Sequence, residues 1–175
     1  MEAILPVLLC IGAIVLVGSS LLLFTGIRVV PEYNRLVVFR LGRALGQRGP
    51  GLVILIPLID VARAVDLREQ MREISKQRVI TKDKKPVLVD WRWRYKVLDP
   101  VRSVISVENV EAAAGGIGNT VLRSTLGEMV SADVLSDPAY TEETLGQTLR
   151  AKLDEVTEGW GVKVTNVEIR EIRRE

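Results

Sequence analysis

Twenty-five consecutive residues, Ala3 to Ile27, carry no charged side chain, whereas the rest of this 175-residue chain is dense in charge. A helix rises about 1.5 Å per residue, so roughly 20 apolar residues cross a hydrocarbon core of about 30 Å. In that core the backbone must satisfy its own hydrogen bonds, which a single segment does only as a helix. The run ILPVLLCIGAIVLVGSSLLLFTGI therefore predicts a transmembrane anchor over residues 1–27, with a folded body held at a bilayer surface. A cleaved signal peptide fits less well. No Lys or Arg precedes Arg28, and the run outlasts the roughly 7–15 residues of a signal core. A buried core helix would show a polar face, and Pro6 lies too near the start to turn a re-entrant hairpin at mid-depth. Gly12, Gly18 and Ser19 do not form a G-x-x-x-G pair. Arg28, Arg35, Arg40 and Arg43 all follow the span, so the positive-inside rule places the N-terminus outside and the body in the cytosol, as a single-pass membrane protein.

The only cysteine, Cys10, sits inside the apolar run, and the chain has no histidine. The first fact removes an intrachain disulfide. The second removes the commonest general base and the commonest metal ligand. Gly115-Gly116-Ile117-Gly118-Asn119-Thr120 lacks the G-K-[ST] ending of a phosphate-binding loop, and no G-x-S-x-G elbow is present. Ser–Lys chemistry stays open on composition. No cofactor or metal is expected. Charge is unevenly spread along the chain. Lys and Arg outnumber Asp and Glu by 16 to 7 over residues 28–96, whereas acids lead by 14 to 8 over residues 97–175. A basic segment beside a bilayer gains roughly 1 kcal/mol per Lys or Arg from anionic lipid. The same asymmetry suits a head-to-tail contact between copies.

Arg35–Leu41 reads as a strand, Gly42–Gly51 as a glycine-rich loop, and Leu52–Ile59 (LVILIPLI) as an apolar run too short to span. That run reads most simply as a buried strand; the sharper reading has it dip into the headgroup layer beside the anchor. Val61–Arg68 is a third strand, and Thr81–Pro86 a charged turn. Val87, Val89, Trp91, Trp93, Tyr95 and Val97 then alternate with Asp90, Arg92, Arg94 and Lys96, the period of a half-buried strand. The basic face has no aromatic for base stacking, so no nucleic acid is expected. Asp99-Pro100 and Asp137-Pro138 read as helix starts. A helix over Val110–Met129 has an expected stripe of Val110, Ala114, Ile117 and Val121, continued by Leu122, Leu126 and Met129. The next helix carries Leu145, Leu149, Leu153, Val156 and Trp160. A last strand starts at Val162, with a bulge expected near Thr165-Asn166, where the alternation changes phase.

Several short motifs occur in a fixed order behind the anchor. They are RLGR at Arg40–Arg43, GPGL at Gly49–Leu52, Pro57 with Asp60, VDLR at Val65–Arg68 and ITKD at Ile80–Asp83. TxLRxxLG follows at Thr120–Gly127, then LSDP at Leu135–Pro138 and WGVKVTNVEI at Trp160–Ile169. In this order the chain resembles the stomatin-like branch (slipins) of the SPFH, or band 7, family. The resemblance implies an α+β fold: a transmembrane helix, then a two-lobed SPFH domain with a mixed sheet and packed helices. The expected lobes are a membrane-proximal 28–86 and a distal 87–175. It also implies homo-oligomers, often rings, that organise lipid microdomains and modulate membrane proteins, with an NfeD-type membrane protein or protease as a partner. Such proteins supply no catalytic site of their own. Gly42, Gly49, Gly51, Pro57, Asp83, Arg123, Gly127 and Trp160 are the positions expected to matter structurally. Family members usually continue into a long coiled-coil helix, and this sequence stops at Arg173-Arg174-Glu175, so weak self-association is expected.

The residues expected to meet the membrane are Arg28, Tyr33, Arg35, Arg40, Arg43, Arg48, Leu52, Ile54 and Ile56, with anionic lipid as their partner. An alternative is a lipid- or sterol-binding module without ring assembly, because Val30, Tyr33 and Arg35 fit a loose V-x-x-Y-x-R pattern.

Overall fold

The computed structural model describes residue 12 and residues 26–174. Apart from Gly12, Gly26 and Ile27, the expected anchor lies outside the described residues. Gly26 stands in a turn and Ile27 opens a strand, so the folded body begins before the expected 27/28 boundary. Among the described residues no helix is long and apolar enough to cross a membrane. The chain divides into two compact units, the first ending at Asp66 and the second beginning at Leu67.

The first unit holds β1 (Ile27–Val30), β2 (Asn34–Arg40), β3 (Arg43–Arg48), β4 (Gly51–Ile54) and β5 (Asp60–Asp66). β1 and β4 form an antiparallel ribbon, and β3-β2-β5 an antiparallel sheet. Val30, Leu36, Val38 and Val53 make the core, with Leu55 and Ala62 packed against them. The stretch expected to be a loop contains β3. Its hairpin with β2 is closed by Leu41 and Gly42, at φ 47° and 81°, which are the two positive-φ positions of a type I′ turn. Gly46, at φ 113°, sits beside a register shift at Val38/Phe39, where a bulge bends the strand.

The second unit orders β6 (Gln70–Ile80), β7 (Pro86–Val97) and β8 (Val162–Arg174) as an antiparallel sheet β6-β7-β8. The expected 86/87 boundary would cut between β6 and β7, yet these strands pair from Gln70↔Tyr95 to Ile80↔Pro86. Every strand pair among the described residues is antiparallel, so antiparallel sheets stand where a mixed sheet was expected. The alternation of β7 holds: Val87, Val89, Trp91, Trp93, Tyr95 and Val97 are all buried. Between β7 and β8 run α1 (Pro100–Ser106), α2 (Val110–Glu128), α3 (Ser131–Ser136), α4 (Pro138–Thr157) and a 3-10 turn, Glu158–Trp160. Asp99 caps α1 through the amides of Val101 and Arg102, and Asp137 caps α4 through that of Tyr140.

The buried stripe of α2 is Ala114, Gly118, Leu122 and Leu126; three of these stand in the expected stripe, whereas Ile117 and Val121 are only half-buried. Gly118 joins the stripe because the Trp91 indole lies where its Cβ would stand. On α4, Leu145, Leu149 and Leu153 are buried as expected, while Val156 is 40% exposed. The bulge in β8 is present, with Thr165 skipped between the pairs Arg94↔Asn166 and Tyr95↔Val164.

Candidate functional site

In an antiparallel pair, residues directly opposite each other share a face, and faces alternate along each strand. The register Ile27↔Ile54 and Val29↔Leu52 therefore puts four aliphatic side chains on one face of the β1/β4 ribbon. All four are exposed: Ile27 44%, Val29 78%, Leu52 66% and Ile54 72%. The other face points Val30 and Val53 into the core. LVILIPLI is thus not a buried strand. Val53 alone is buried, because only one face of the ribbon has a core to enter.

The end of this unit where β1 begins is equally apolar. The Gly26 carbonyl accepts from the Leu55 amide at 2.8 Å. A Cβ on Gly26 would overlap the Leu55 carbonyl, so the backbone passes directly against the β4–β5 loop. That loop is a tight turn over Ile56-Pro57-Leu58-Ile59, in which the Ile59 amide donates to the Ile56 carbonyl at 3.3 Å. Proline in the second position and positive φ at Leu58 (71°) give it the form of a type II turn. Its base is fixed by Asp60, whose side chain is 1% exposed. The carboxylate receives Arg40 Nε at 2.7 Å and Nη2 at 2.9 Å, and the Ile56 amide at 2.9 Å. These donors, Arg40 first, hold the Asp60 pKa down at about 2. The Leu41 amide donates to the Ile59 carbonyl at 3.2 Å, joining the β2–β3 turn to the same end.

The expected contact residues separate into groups. Leu52 and Ile54 lie on the exposed ribbon face, and Ile56 is in the adjoining turn, 43% exposed. Arg28, Arg43 and Arg48 are exposed, and among the described residues none has a carboxylate partner. Arg48 borders a groove of about 420 Å³, shared with Leu45, Pro50, Leu52, Ile54 and the Arg40–Asp60 pair. Arg40 is committed to Asp60, and the Arg35 guanidinium donates to the carbonyls of Glu32 and Asn34, each at 2.8 Å. Tyr33 is 45% exposed. Val30 is in the core, so the V-x-x-Y-x-R pattern does not form one exposed surface. Sequence reasoning missed Val29, Leu41 and Leu58. Val29 would have followed from pairing β1 with β4. The two leucines hold backbone conformations that sequence assigns to Gly or Asn.

In the second unit the glycine-rich stretch 115–120 lies within α2 and forms no loop. Asp83 ties the β6–β7 turn to the start of α3. It accepts from Thr81 Oγ1 at 2.6 Å and the Ser131 amide at 3.0 Å, and its pKa is lowered by these bonds and by Lys85. Burial, with Glu111 alongside, pushes the Tyr95 phenol up to about 12.

Two units built on antiparallel strands, the second carrying a helical layer, define an α+β domain class. The chain belongs to the SPFH domain / Band 7 family, whose model matches residues 28–175. It is 40% identical over 169 residues to a stomatin homolog of Pyrococcus abyssi, covering 97% of this chain and 62% of that relative. It is also similar to Stomatin-1 of Caenorhabditis elegans, 38% identical over 151 residues, covering 86% of this chain and 44% of that protein. Mechanosensory protein 2 of the same organism is 39% identical over 149 residues, covering 84% of this chain and 30% of that protein. The chain therefore spans less than two thirds of the length of these relatives.

Proposed function

We propose that this chain is a membrane-associated, non-enzymatic scaffold of the stomatin type. The uncharged segment ahead of Gly26 anchors it, and the exposed apolar parts of the first unit meet the bilayer surface. Copies assemble to organise surrounding lipid and to modulate membrane proteins, with an NfeD-type membrane protein or protease as the partner class. The observation that carries the reading is the bond from the Leu55 amide to the Gly26 carbonyl. It brings the end of the uncharged segment against the loop that displays Ile56 and Leu58, beside the ribbon face of Ile27, Val29, Leu52 and Ile54. If the segment spans, this end of the unit lies in the headgroup layer. There exposed aliphatic side chains gain burial, and Arg28, Arg43 and Arg48 meet anionic lipid. The V-x-x-Y-x-R sterol reading has no such support, since Val30 is in the core.

Flotation of the full chain with vesicles, before and after an alkaline carbonate wash, tests the anchor. Wash-resistant flotation is expected, and release to the soluble fraction would overturn it. Crosslinking at high membrane density tests assembly. Species larger than the monomer are expected, and a strictly monomeric chain would remove the scaffold role.

A further inference from the structure

Two leucines of the first unit occupy turn positions that sequences ordinarily give to Gly or Asn. Leu41 is a central residue of the β2–β3 turn at φ 47°, and Leu58 is the third residue of the β4–β5 turn at φ 71°. A left-handed backbone is unfavourable for an L-residue that carries a Cβ. Neither leucine offsets that cost by packing within the unit, because Leu41 is 81% exposed and Leu58 95% exposed. A conformation this unfavourable, kept by an exposed aliphatic residue in two adjacent turns, points to a role outside the fold.

The turns are also held rigidly. The Leu41 amide bonds the Ile59 carbonyl, and the Ile59 and Asp60 amides both bond the Ile56 carbonyl. The buried Asp60 carboxylate clamps Arg40 from one turn and the Ile56 amide from the other. The leucines are therefore presented by a fixed base, and little ordering entropy remains to be lost when they are buried elsewhere. Arg43 follows immediately after the first turn and is exposed, which suits a headgroup phosphate beside an inserted side chain.

We propose that Leu41 and Leu58 form a rigid wedge that inserts into a lipid leaflet only to the depth of a single side chain. The wedge prefers leaflets whose headgroups are loosely packed. This rests on the membrane reading above and adds a regulatory property to it. A tight turn carries no length with which to reach the acyl interior. Insertion at that depth spreads the headgroup layer while leaving the chains below unfilled. It is accommodated where gaps already exist, as on a strongly curved surface, a dependence shared with interfacial amphipathic segments.

The test uses the full chain with Cys10→Ser, carrying an environment-sensitive fluorophore on Leu58→Cys or, as the control, on Arg63→Cys. Each protein is reconstituted into vesicles of dioleoyl phosphatidylcholine and phosphatidylglycerol, either small and sonicated or large and extruded. Shallow brominated lipid serves as quencher. The expected result is several-fold stronger quenching at 58 than at 63, and stronger quenching at 58 in small vesicles than in large ones. A Leu41→Ser variant should reduce quenching at 58, and unchanged quenching would overturn a wedge shared by the two leucines. Equal quenching at 58 and 63 overturns insertion, and quenching at 58 independent of vesicle size overturns the packing preference. Failure of the chain to float after carbonate overturns the membrane reading itself, and is seen separately.

Discussion

Asp60 shows how one side chain governs a surface. Its carboxylate accepts from Arg40 and from the Ile56 amide, and its pKa is lowered from 3.8 to about 2, with the Arg40 bonds as the first cause. A depressed carboxylate contributes stability that is fully present above the unfolded value and is lost as pH falls through the folded one. The Ile56 amide resonance of the full chain in micelles should therefore titrate with a midpoint near 2. A midpoint near 4 would show that the clamp is not formed, and Asp60→Asn should abolish the titration. In the sequence, Asp60 and Pro57 stand out only as part of a recurring motif. The clamp itself depends on the register that places Arg40 opposite Asp60, a non-local pairing no single-residue pattern contains. Leu41 and Leu58 are hidden for a different reason. Their side chains predict burial and β structure, while their backbones do what glycine does.

Secondary structure was most readable where a single periodicity decided it. On β7 a buried face of valines and aromatics alternates with a charged face, and the structure follows it residue by residue. β3 was hidden because RALGQR has no apolar alternation, and its burial is slight. It is a strand through its pairing with β2, with Gly42 closing the turn. Helix α2 is legible in extent and in three of its four buried positions, Ala114, Leu122 and Leu126. Gly115, Gly116 and Gly118 interrupt its stripe, and which of them faces the core is decided by the Trp91 ring across from it. This separates two substitutions that the sequence would treat alike. Gly118→Ala forces a Cβ into the Trp91 indole and should destabilise the protein by about 1–3 kcal/mol. Gly116→Ala meets nothing within 4 Å on an exposed position of the same helix, and should stabilise it by about 0.4–1 kcal/mol. Denaturant midpoints of the two variants check both signs. Equal shifts would show that α2 does not present Gly118 to the sheet.

At the scale of the molecule, charge order along the chain proves a poor guide to charge in space. The basic residues of 68–96 and the acidic residues of 97–175 lie in one unit, and they pair there. Arg72 meets Glu111 at 2.6 Å and Arg92 Nε meets Glu168 at 2.7 Å. The pairing also runs the other way, with Arg170 on Glu73 at 3.5 Å and Arg173 on Asp90 at 3.4 Å. Part of the asymmetry that suited a head-to-tail contact between copies is thus met inside each copy, by Arg72–Glu111 and Arg92–Glu168. Among the described residues, the cations without a carboxylate partner include Arg28, Arg43 and Arg48 of the first unit, with Arg48 bordering the groove that holds Leu52 and Ile54. Salt should therefore act on lipid contact more than on assembly. Raising ionic strength from about 0.1 M to about 1 M shortens the Debye length from about 10 Å to about 3 Å and weakens exposed charge–headgroup attraction. Enrichment of a fluorescent phosphatidylglycerol around the reconstituted chain should fall several-fold over that range, and replacing Arg28, Arg43 and Arg48 with Gln should remove most of the fall. The fraction crosslinked between copies should change much less, because contacts between copies would then rest on apolar and backbone groups that salt does not screen. If crosslinking instead collapsed in step with lipid enrichment, charge pairs between copies would be holding the assembly, and the pairs seen within each copy would have to exchange partners on association.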